Sequence, residues 1–159
     1  MLVGRPRIAR GTQEASVGGV TARAVGSYHD GERGLRRGPN AIRIFAIDGL
    51  KVVHMGDQGC MPDDDVLAAI ADADVMMLPV GGTYTVDAQG AKAIVERTRP
   101  KCVIPMHVKT KRCPYPIAPV TPFLAAMEAE AVHAVREAVF AKERGPQGVL
   151  LMQPLADSL

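Results

Sequence analysis

The chain has 159 residues, of which 47% are hydrophobic and 23% are charged, and this composition is typical of one soluble globular domain. Its 19 basic and 17 acidic side chains leave a net charge of +2, and only 4% of the residues are aromatic. These values argue against a nucleic-acid partner. No apolar run is long enough for a membrane span. The three cysteines lack the spacing of metal ligands, and this favours free thiols in a cytoplasmic protein.

Six segments carry the apolar patterns of β-strands. The first, 20–25, alternates apolar and polar residues, whereas 74–79 and 102–105 are continuous apolar runs of the kind seen in buried strands. The dipeptide Asp48-Gly49 is a strong hairpin signal and joins the second strand to the third. The predicted strands are 20–25, 41–47, 50–55, 74–79, 102–105 and 148–153.

Three helices are predicted between the later strands. Asp63-Asp64-Asp65 is expected to cap a short helix, and Thr85 or Asp87 is expected to cap one of about ten residues that ends before Pro100. Ala and Glu are spread throughout 121–143, and this composition predicts a third helix. The alternation of strands and helices predicts an α/β fold with a hairpin at its front.

The chain divides into a short lead-in and one folded unit. Residues 1–19 show no sustained periodicity and are expected to be irregular, so the domain is predicted over 20–159. A glycine-rich stretch over 27–40 predicts a long loop between the first two strands.

Polar residues that suit metal binding follow three of the predicted strands. They are His29, Asp57 and His107. In layered α/β folds, ligand sites lie beyond the carboxyl ends of the strands. Two imidazoles and a carboxylate are suitable ligands for Zn²⁺ or a related metal. Each histidine could equally be solvated or structural, and Asp57 could be a turn residue that bonds its own backbone.

Five blocks of this sequence resemble the metallo-β-lactamase superfamily, in the order that the family has them. The similarity runs from about residue 10 to 154. It is closest to the small bacterial and archaeal metal-dependent hydrolases of the superfamily, which are related to ascorbate-phosphate lactonase-like proteins. The resemblance implies the C-terminal half of an αβ/βα sandwich, a mixed sheet with helices on one face. The blocks are YHDGERGLRRGPN (28–40), GLKVVHMGD (49–57), GDQG (56–59), DVMMLPVGGTYTVDA (74–88) and IPMH (104–107).

The resemblance also implies roles for the three metal-type residues. His29 matches a ligand of the first metal, His107 matches a ligand of the second, and Asp57 matches the aspartate that bridges both. Asp57 would also be the catalytic residue that orients the attacking hydroxide. The implied cofactor is Zn²⁺, or Mn²⁺ or Fe²⁺, in a dinuclear centre that activates water for hydrolysis.

Three further residues are implied to bind the substrate. Gly82 and Tyr84 resemble the loop at the mouth of the pocket, and Arg37 could clamp an anionic substrate, although a solvated loop arginine is the alternative. The resemblance also implies a short strand near Val132–Val135, where composition predicts helix.

One diagnostic motif of the family is absent from this sequence. The motif is H-x-H-x-D-H, and the two remaining histidines, His54 and His133, lack that spacing. It would lie upstream of residue 1, so the resemblance predicts an N-terminally truncated chain with an incomplete set of metal ligands. His54 is expected to be a hydrogen-bonded strand residue, His133 a solvated one, and Cys60 a free thiol or, alternatively, a soft ligand.

Three functions remain open from the sequence. The first is a metal-dependent hydrolase that acts on a small ester, lactone or phosphoester. The second is a non-catalytic half-domain that forms a homo-oligomer through its exposed inner sheet. The third is an α/β ligand-binding domain that approaches an anion through Gly56–Gly59 and Gly81-Gly82.

Overall fold

The computed structural model describes residue 10 and residues 12–129 and 133–153, which form one mixed sheet with three helices. The order of the strands across the sheet is β1-β2-β3-β4-β5-β6-β8-β7. The strands are β1 Ala15–Val17, β2 Val20–Tyr28, β3 Pro39–Ile47, β4 Leu50–His54, β5 Val75–Pro79, β6 Cys102–Met106, β7 His133–Val135 and β8 Gly148–Met152. The helices are α1 Asp64–Ile70, α2 Ala88–Thr98 and α3 Thr121–Ala126.

The front of the sheet is antiparallel. β2 pairs with β3 from Thr21 opposite Ala46 to Tyr28 opposite Pro39, and β3 pairs in turn with β4. The predicted hairpin is confirmed: Asp48 and Gly49 have φ values of 49° and 78°, the positive values that a two-residue type I′ turn requires.

The rest of the sheet is parallel, and this places the ends of four strands at one edge. β4, β5 and β6 are parallel neighbours because α1 and α2 carry the chain back between them. β2 runs in the same direction as β4, since two antiparallel pairings separate them. The carboxyl ends of β2, β4, β5 and β6 therefore meet at the same edge, where ligand sites of layered α/β folds lie.

The core lies between the sheet and the helices. Four residues in register across β3 to β6 are at most 5% exposed, and they belong to the same cluster as buried residues of all three helices described. Those four are Ile44, Val53, Met76 and Val103. Each such buried side chain stabilises the fold by about 1.5–3 kcal/mol. No helix within the described ranges is long and apolar enough to cross a membrane.

The structure corrects three of the predictions. Ala15–Val17 forms strand β1, so regular structure begins before residue 20. The helix predicted over 121–143 is wrong beyond Ala126, because His133–Val135 pairs with β8 as the strand that the family resemblance implies. Asp63 is the N-cap of α1, but its side chain makes no capping hydrogen bond.

Candidate metal centre

His29 and Asp57 face each other across the edge of the sheet. His29 directly follows β2, and Asp57 lies three residues beyond the end of β4. The His29 Nε2 atom is 4.0 Å from Asp57 Oδ2, with the two side chains 24% and 58% exposed. A nitrogen and a carboxylate oxygen at this separation could bind one ion between them, since Zn–N and Zn–O bonds are each about 2 Å long.

His107 follows β6 at the same edge. Its φ is +56°, in the left-handed region that six other non-glycine residues of the described chain also occupy. Two imidazole nitrogens, Nδ1 of His107 and Nε2 of His29, are buried and have no hydrogen-bond partner among the described atoms. An unpaired buried polar atom is costly, so both nitrogens are suited to an external ligand.

Two glycines pack directly against the backbones of these histidines. A Cβ at Gly59 would overlap the carbonyl group of His29, and a Cβ at Gly81 would overlap the carbonyl oxygen of His107. No larger residue fits at either position without displacing the adjacent histidine. These two backbone contacts therefore fix the positions of the main chains that carry the two imidazoles.

A buried polar network supports the backbone of Asp57. The Asn40 amide donates to the carbonyl oxygen of Met55 at 2.8 Å and to Gln58 Oε1 at 2.9 Å. Its Oδ1 accepts the Asp57 N–H at 3.1 Å, and Gln58 Nε2 donates to Ser27 Oγ at 2.8 Å. Because Gln58 is 0% exposed and Asn40 is 9% exposed, these bonds have little competition from water.

A second set of hydrogen bonds builds the loop that follows His29. The Asp30 carboxylate accepts backbone N–H groups of Glu32, Gly34, Arg36 and Arg37 at 2.7–3.1 Å. Burial acts to raise the pKa of Asp30, but these four donors outweigh it and hold the pKa below its ordinary value. An ionised Asp30 thus organises loop 30–37.

The three residues predicted to bind substrate lie where this loop meets the loop after β5. Gly82 is buried, has a φ of +65° and donates its N–H to the Val86 carbonyl at 3.2 Å. The Arg37 guanidinium lies 5.6 Å from the centre of the Tyr84 ring and donates to the Thr83 carbonyl at 3.3 Å. The structure therefore links the loop after β2 to the loop after β5.

The described residues supply an incomplete metal site. Within the part of the chain that the structure describes, no three His, Cys, Asp or Glu side chains are grouped closely enough to hold an ion. His107 does not join His29 and Asp57 as a third ligand of one ion. Catalytic zinc sites use three protein ligands, so the assignment of these residues as metal ligands stays a prediction.

The other candidate side chains have structural partners. His54 Nδ1 accepts the Gly56 N–H at 3.0 Å, as expected for a hydrogen-bonded strand histidine. Burial is the largest cause that raises the pKa of Cys60, followed by the negative charge of Asp63, so this thiol is not activated. The predicted solvated side chain of His133 lies outside what the structure describes.

Sequence reasoning did not single out Asn40, Gln58, Gly59 or Gly81 for these supporting roles. The sequence offered one signal, namely that Gln58 is an amide placed between an aspartate and a glycine in a loop after a strand. Its partner Asn40 is 18 positions away in the sequence, and their contact depends on the pairing of β3 with β4.

A family model described as the beta-lactamase superfamily domain matches residues 1–107. A UPF0173 metal-dependent hydrolase of Thermoplasma acidophilum is 36% identical over 92 residues, which is 58% of this chain and 41% of that protein. Another, from Archaeoglobus fulgidus, is 33% identical over 102 residues, covering 60% of this chain and 44% of that protein. The chain thus spans about two fifths of the length of the curated relatives it matches.

Solved structures show the same fold. A crystal structure from Thermotoga maritima, described as a candidate Zn-dependent hydrolase of the metallo-β-lactamase superfamily, matches with a TM-score of 0.77 and 30% identity, covering 92% of this chain and 71% of that one. A metal-dependent hydrolase candidate from Parabacteroides distasonis matches with a TM-score of 0.59 at 18% identity, covering 79% of this chain and 54% of that one. The second likeness concerns the fold alone. The eight-stranded mixed sheet with its helices matches a fragment of this fold, as predicted.

Proposed function

Because this chain belongs to the metallo-β-lactamase superfamily, we propose that it forms part of the centre of a metal-dependent hydrolase. The observation that carries the proposal is the pair of buried imidazole nitrogens without described partners, His29 Nε2 and His107 Nδ1, at the edge that also bears Asp57. The relatives named above as metal-dependent hydrolases support the same reading.

The proposed ligand set has two parts that share one carboxylate. His29 and Asp57 would hold one ion, and His107 with Asp57 would hold a second, with the remaining ligands supplied from outside the described residues. The chemistry of the donors suits Zn²⁺, and Mn²⁺ or Fe²⁺ as alternatives. A divalent ion there supplies Lewis-acid activation of water and of the scissile carbonyl or phosphoryl group.

The protein residues around that centre would position the reactants. The exposed Asp57 carboxylate would accept a hydrogen bond from the attacking water and orient it toward the substrate. Gly82, Tyr84 and Arg37 would line the side on which the substrate enters. The proposed substrate class is a small ester, lactone or phosphoester.

The first experiment measures bound metal. The purified chain is equilibrated with ZnCl₂, freed of excess metal on a desalting column and assayed by plasma mass spectrometry, beside the Asp57→Ala, His107→Ala double variant. We expect bound zinc in the parent chain and its loss in the double variant. His54→Gln is the matched control, because glutamine keeps an acceptor for the Gly56 N–H and we expect its zinc content to be unchanged.

Two results would contradict the proposal: no zinc in the parent chain, or equal zinc in the parent and the double variant. If zinc is bound, hydrolysis of p-nitrophenyl acetate and of bis(p-nitrophenyl) phosphate then separates ester from phosphoester cleavage. Activity that is unchanged in the double variant would also count against Asp57 as the residue that orients water.

A second candidate function is self-association through the face of the sheet that points away from the helices. Four half-buried apolar residues lie on this face and outside the core cluster: Phe45, Val52, Met77 and Ile104. A second copy of the chain could cover them and form a symmetric dimer without any catalytic role. Light scattering coupled to size-exclusion chromatography tests this, since a monomer at all concentrations would exclude it.

A further inference from the structure

Two loops at the candidate centre carry an excess of basic side chains. Loop 30–37 directly follows one of the two site histidines, and loop 107–118 begins with the other. The whole chain has a net charge of only +2, yet these two loops hold six cationic residues and two acidic ones, Asp30 and Glu32. The cationic residues are Arg33, Arg36, Arg37, Lys109, Lys111 and Arg112.

Both acidic side chains of these loops are already engaged. The Asp30 carboxylate accepts the four backbone N–H groups described above. Glu32 Oε1 forms an ion pair with Arg36 Nη2 at 2.5 Å. Neither carboxylate forms an ion pair with the Arg37 guanidinium, although Arg37 is adjacent to Arg36 in the same loop.

Arg37 keeps most of its hydrogen-bonding capacity. A guanidinium has five N–H donors, and among the described residues this one makes a single hydrogen bond, to the Thr83 carbonyl, and approaches the Tyr84 ring. The side chain is exposed and forms no ion pair with a carboxylate of the described residues. A planar guanidinium in this state matches the bidentate geometry of a carboxylate or a phosphate.

Further contacts fasten the two basic loops to each other through the loop after β5. The Tyr84 and Tyr115 rings meet edge to face, with centroids 6.3 Å apart. Thr83 Oγ1 donates to the Pro116 carbonyl at 2.7 Å. Within loop 107–118, Lys109 Nζ donates to the Tyr115 carbonyl at 2.7 Å. Arg37, in the first basic loop, is thus linked through Thr83 and Tyr84 to the second, with aromatic surface beside it.

We propose that Arg37, with Tyr84 and Tyr115 beside it, binds an oxyanion of the substrate, either a phosphate ester or a carboxylate. This inference rests on the proposed function, because it names the substrate class of the same site. The clustered positive charge raises the local concentration of an anion, and the guanidinium fixes its orientation. The tyrosine rings offer an apolar surface to the uncharged part of the molecule.

The test is an NMR titration of the full chain, labelled with ¹³C and ¹⁵N, in metal-depleted buffer. Inorganic phosphate and acetate are added in separate arms at constant ionic strength, and the Arg37 Nε–Hε signal and the Tyr84 and Tyr115 ring signals are followed. We expect saturable shifts of these signals. The arm with the lower dissociation constant identifies whether the site prefers a phosphate or a carboxylate group.

Three variants make the result specific to Arg37. We expect Arg37→Gln to weaken binding of the preferred anion by about tenfold or more, and Arg37→Lys to weaken it less, because lysine keeps the charge without the planar fork. Arg97→Gln is the matched control, since its guanidinium is paired with Asp64 at 2.8 Å and lies on helix α2, outside both basic loops, and we expect a change within about twofold.

Two outcomes would overturn the inference. One is the absence of saturable shifts with either anion, and the other is equal affinity in Arg37→Gln and the parent chain. If Arg37 only fastens the loops, Arg37→Gln will shift the Tyr84 ring signals while the anion affinity stays constant. Because no metal is added, the result does not depend on the zinc measurement, and the two proposals can fail separately.

Discussion

Replacing Asn40 with alanine removes the centre of the buried network that supports Asp57. Three hydrogen bonds are lost, at 2.8 Å to the Met55 carbonyl, at 2.9 Å to Gln58 Oε1 and at 3.1 Å from the Asp57 N–H. Water can replace the last one, since Asp57 is exposed. The Met55 carbonyl and Gln58 Oε1 belong to residues that are 0% exposed, so both acceptors lose a partner that solvent does not replace.

The expected loss follows from those two acceptors. An unsatisfied buried group costs about 1–3 kcal/mol, so for two such groups we expect the free energy of unfolding to fall by about 2–6 kcal/mol. For a chain of this size each kcal/mol lowers the Tm by about 2–4 °C, so a decrease of about 4–24 °C is expected. Ser27→Ala is the smaller control, because it removes one neutral hydrogen bond and Gln58 Nε2 keeps the Cys60 carbonyl as a partner.

The assay is urea unfolding followed by far-ultraviolet circular dichroism at several pH values, with Asn40→Asp as the isosteric variant. That variant keeps an acceptor for the Asp57 N–H but places a carboxylate oxygen against the oxygens of Met55 and Gln58. Burial and these acceptors raise the pKa of the introduced carboxyl, so its stability is highest at low pH and falls as the pH rises through that raised pKa. The network is refuted as a source of stability if the free energy of unfolding of Asn40→Ala lies within about 1 kcal/mol of that of the parent chain. It is also refuted if the stability of Asn40→Asp does not depend on pH in this way.

Three further predictions concern other parts of the fold. Gly59→Ala and Gly81→Ala should each lower the free energy of unfolding, measured by thermal denaturation, by about 1–3 kcal/mol. Gly26→Ala should be tolerated, because no atom lies within 4 Å of the added Cβ. Burial raises the pKa of Cys102 from 9.0 to about 11, so the stability of the folded state should fall by about 2–3 kcal/mol as the pH rises through that interval, and Cys102→Ala should flatten this fall. Burial acts to raise the pKa of Asp74, but its hydrogen bond from Lys101 at 2.7 Å helps to hold that pKa below its ordinary value. The ionised Asp74 therefore stabilises the fold, and this stabilisation should be lost as the pH falls below about 4. Asp74→Asn should remove this loss of stability at low pH, whereas replacement of the exposed Asp72 by asparagine should not. Equal dependence of stability on pH in the two variants would contradict the role of Asp74.

Six of the eight described strands could be predicted from local patterns in the sequence, but the edge strands β1 and β7 could not. The Asp48-Gly49 turn predicts the hairpin of β3 and β4, because this signal is local. Residues 133–135 lie in an Ala- and Glu-rich stretch whose intrinsic preference is helical. Pairing with β8 overrides that preference. The local sequence does not indicate this pairing, because β8 lies more than a dozen residues further along the chain.

The same limit applies to the candidate centre. His29, Asp57 and His107 could be singled out because each polar residue follows a recognisable strand. Their supports depend on contacts between distant segments: Gly59 against His29, Gly81 against His107, and Asn40 against Gln58. The sequence shows only that a glycine has no side chain, whereas the structure shows which backbone segment packs against it.

The metal-type residues and the proposed anion-binding residues are held by different kinds of structure. His29 and His107 are attached at the ends of sheet strands and fixed by glycine contacts, whereas Arg37 and Tyr84 lie on loops held by side-chain hydrogen bonds and ring contacts. Loops accept substitutions with less effect on the scaffold than strand ends do. We therefore expect Arg37→Gln to change anion binding while zinc binding is retained, and Asp57→Ala to lower zinc binding while phosphate binding is retained. Parallel loss of both ligands in either variant would show that the two groups of residues form one inseparable unit.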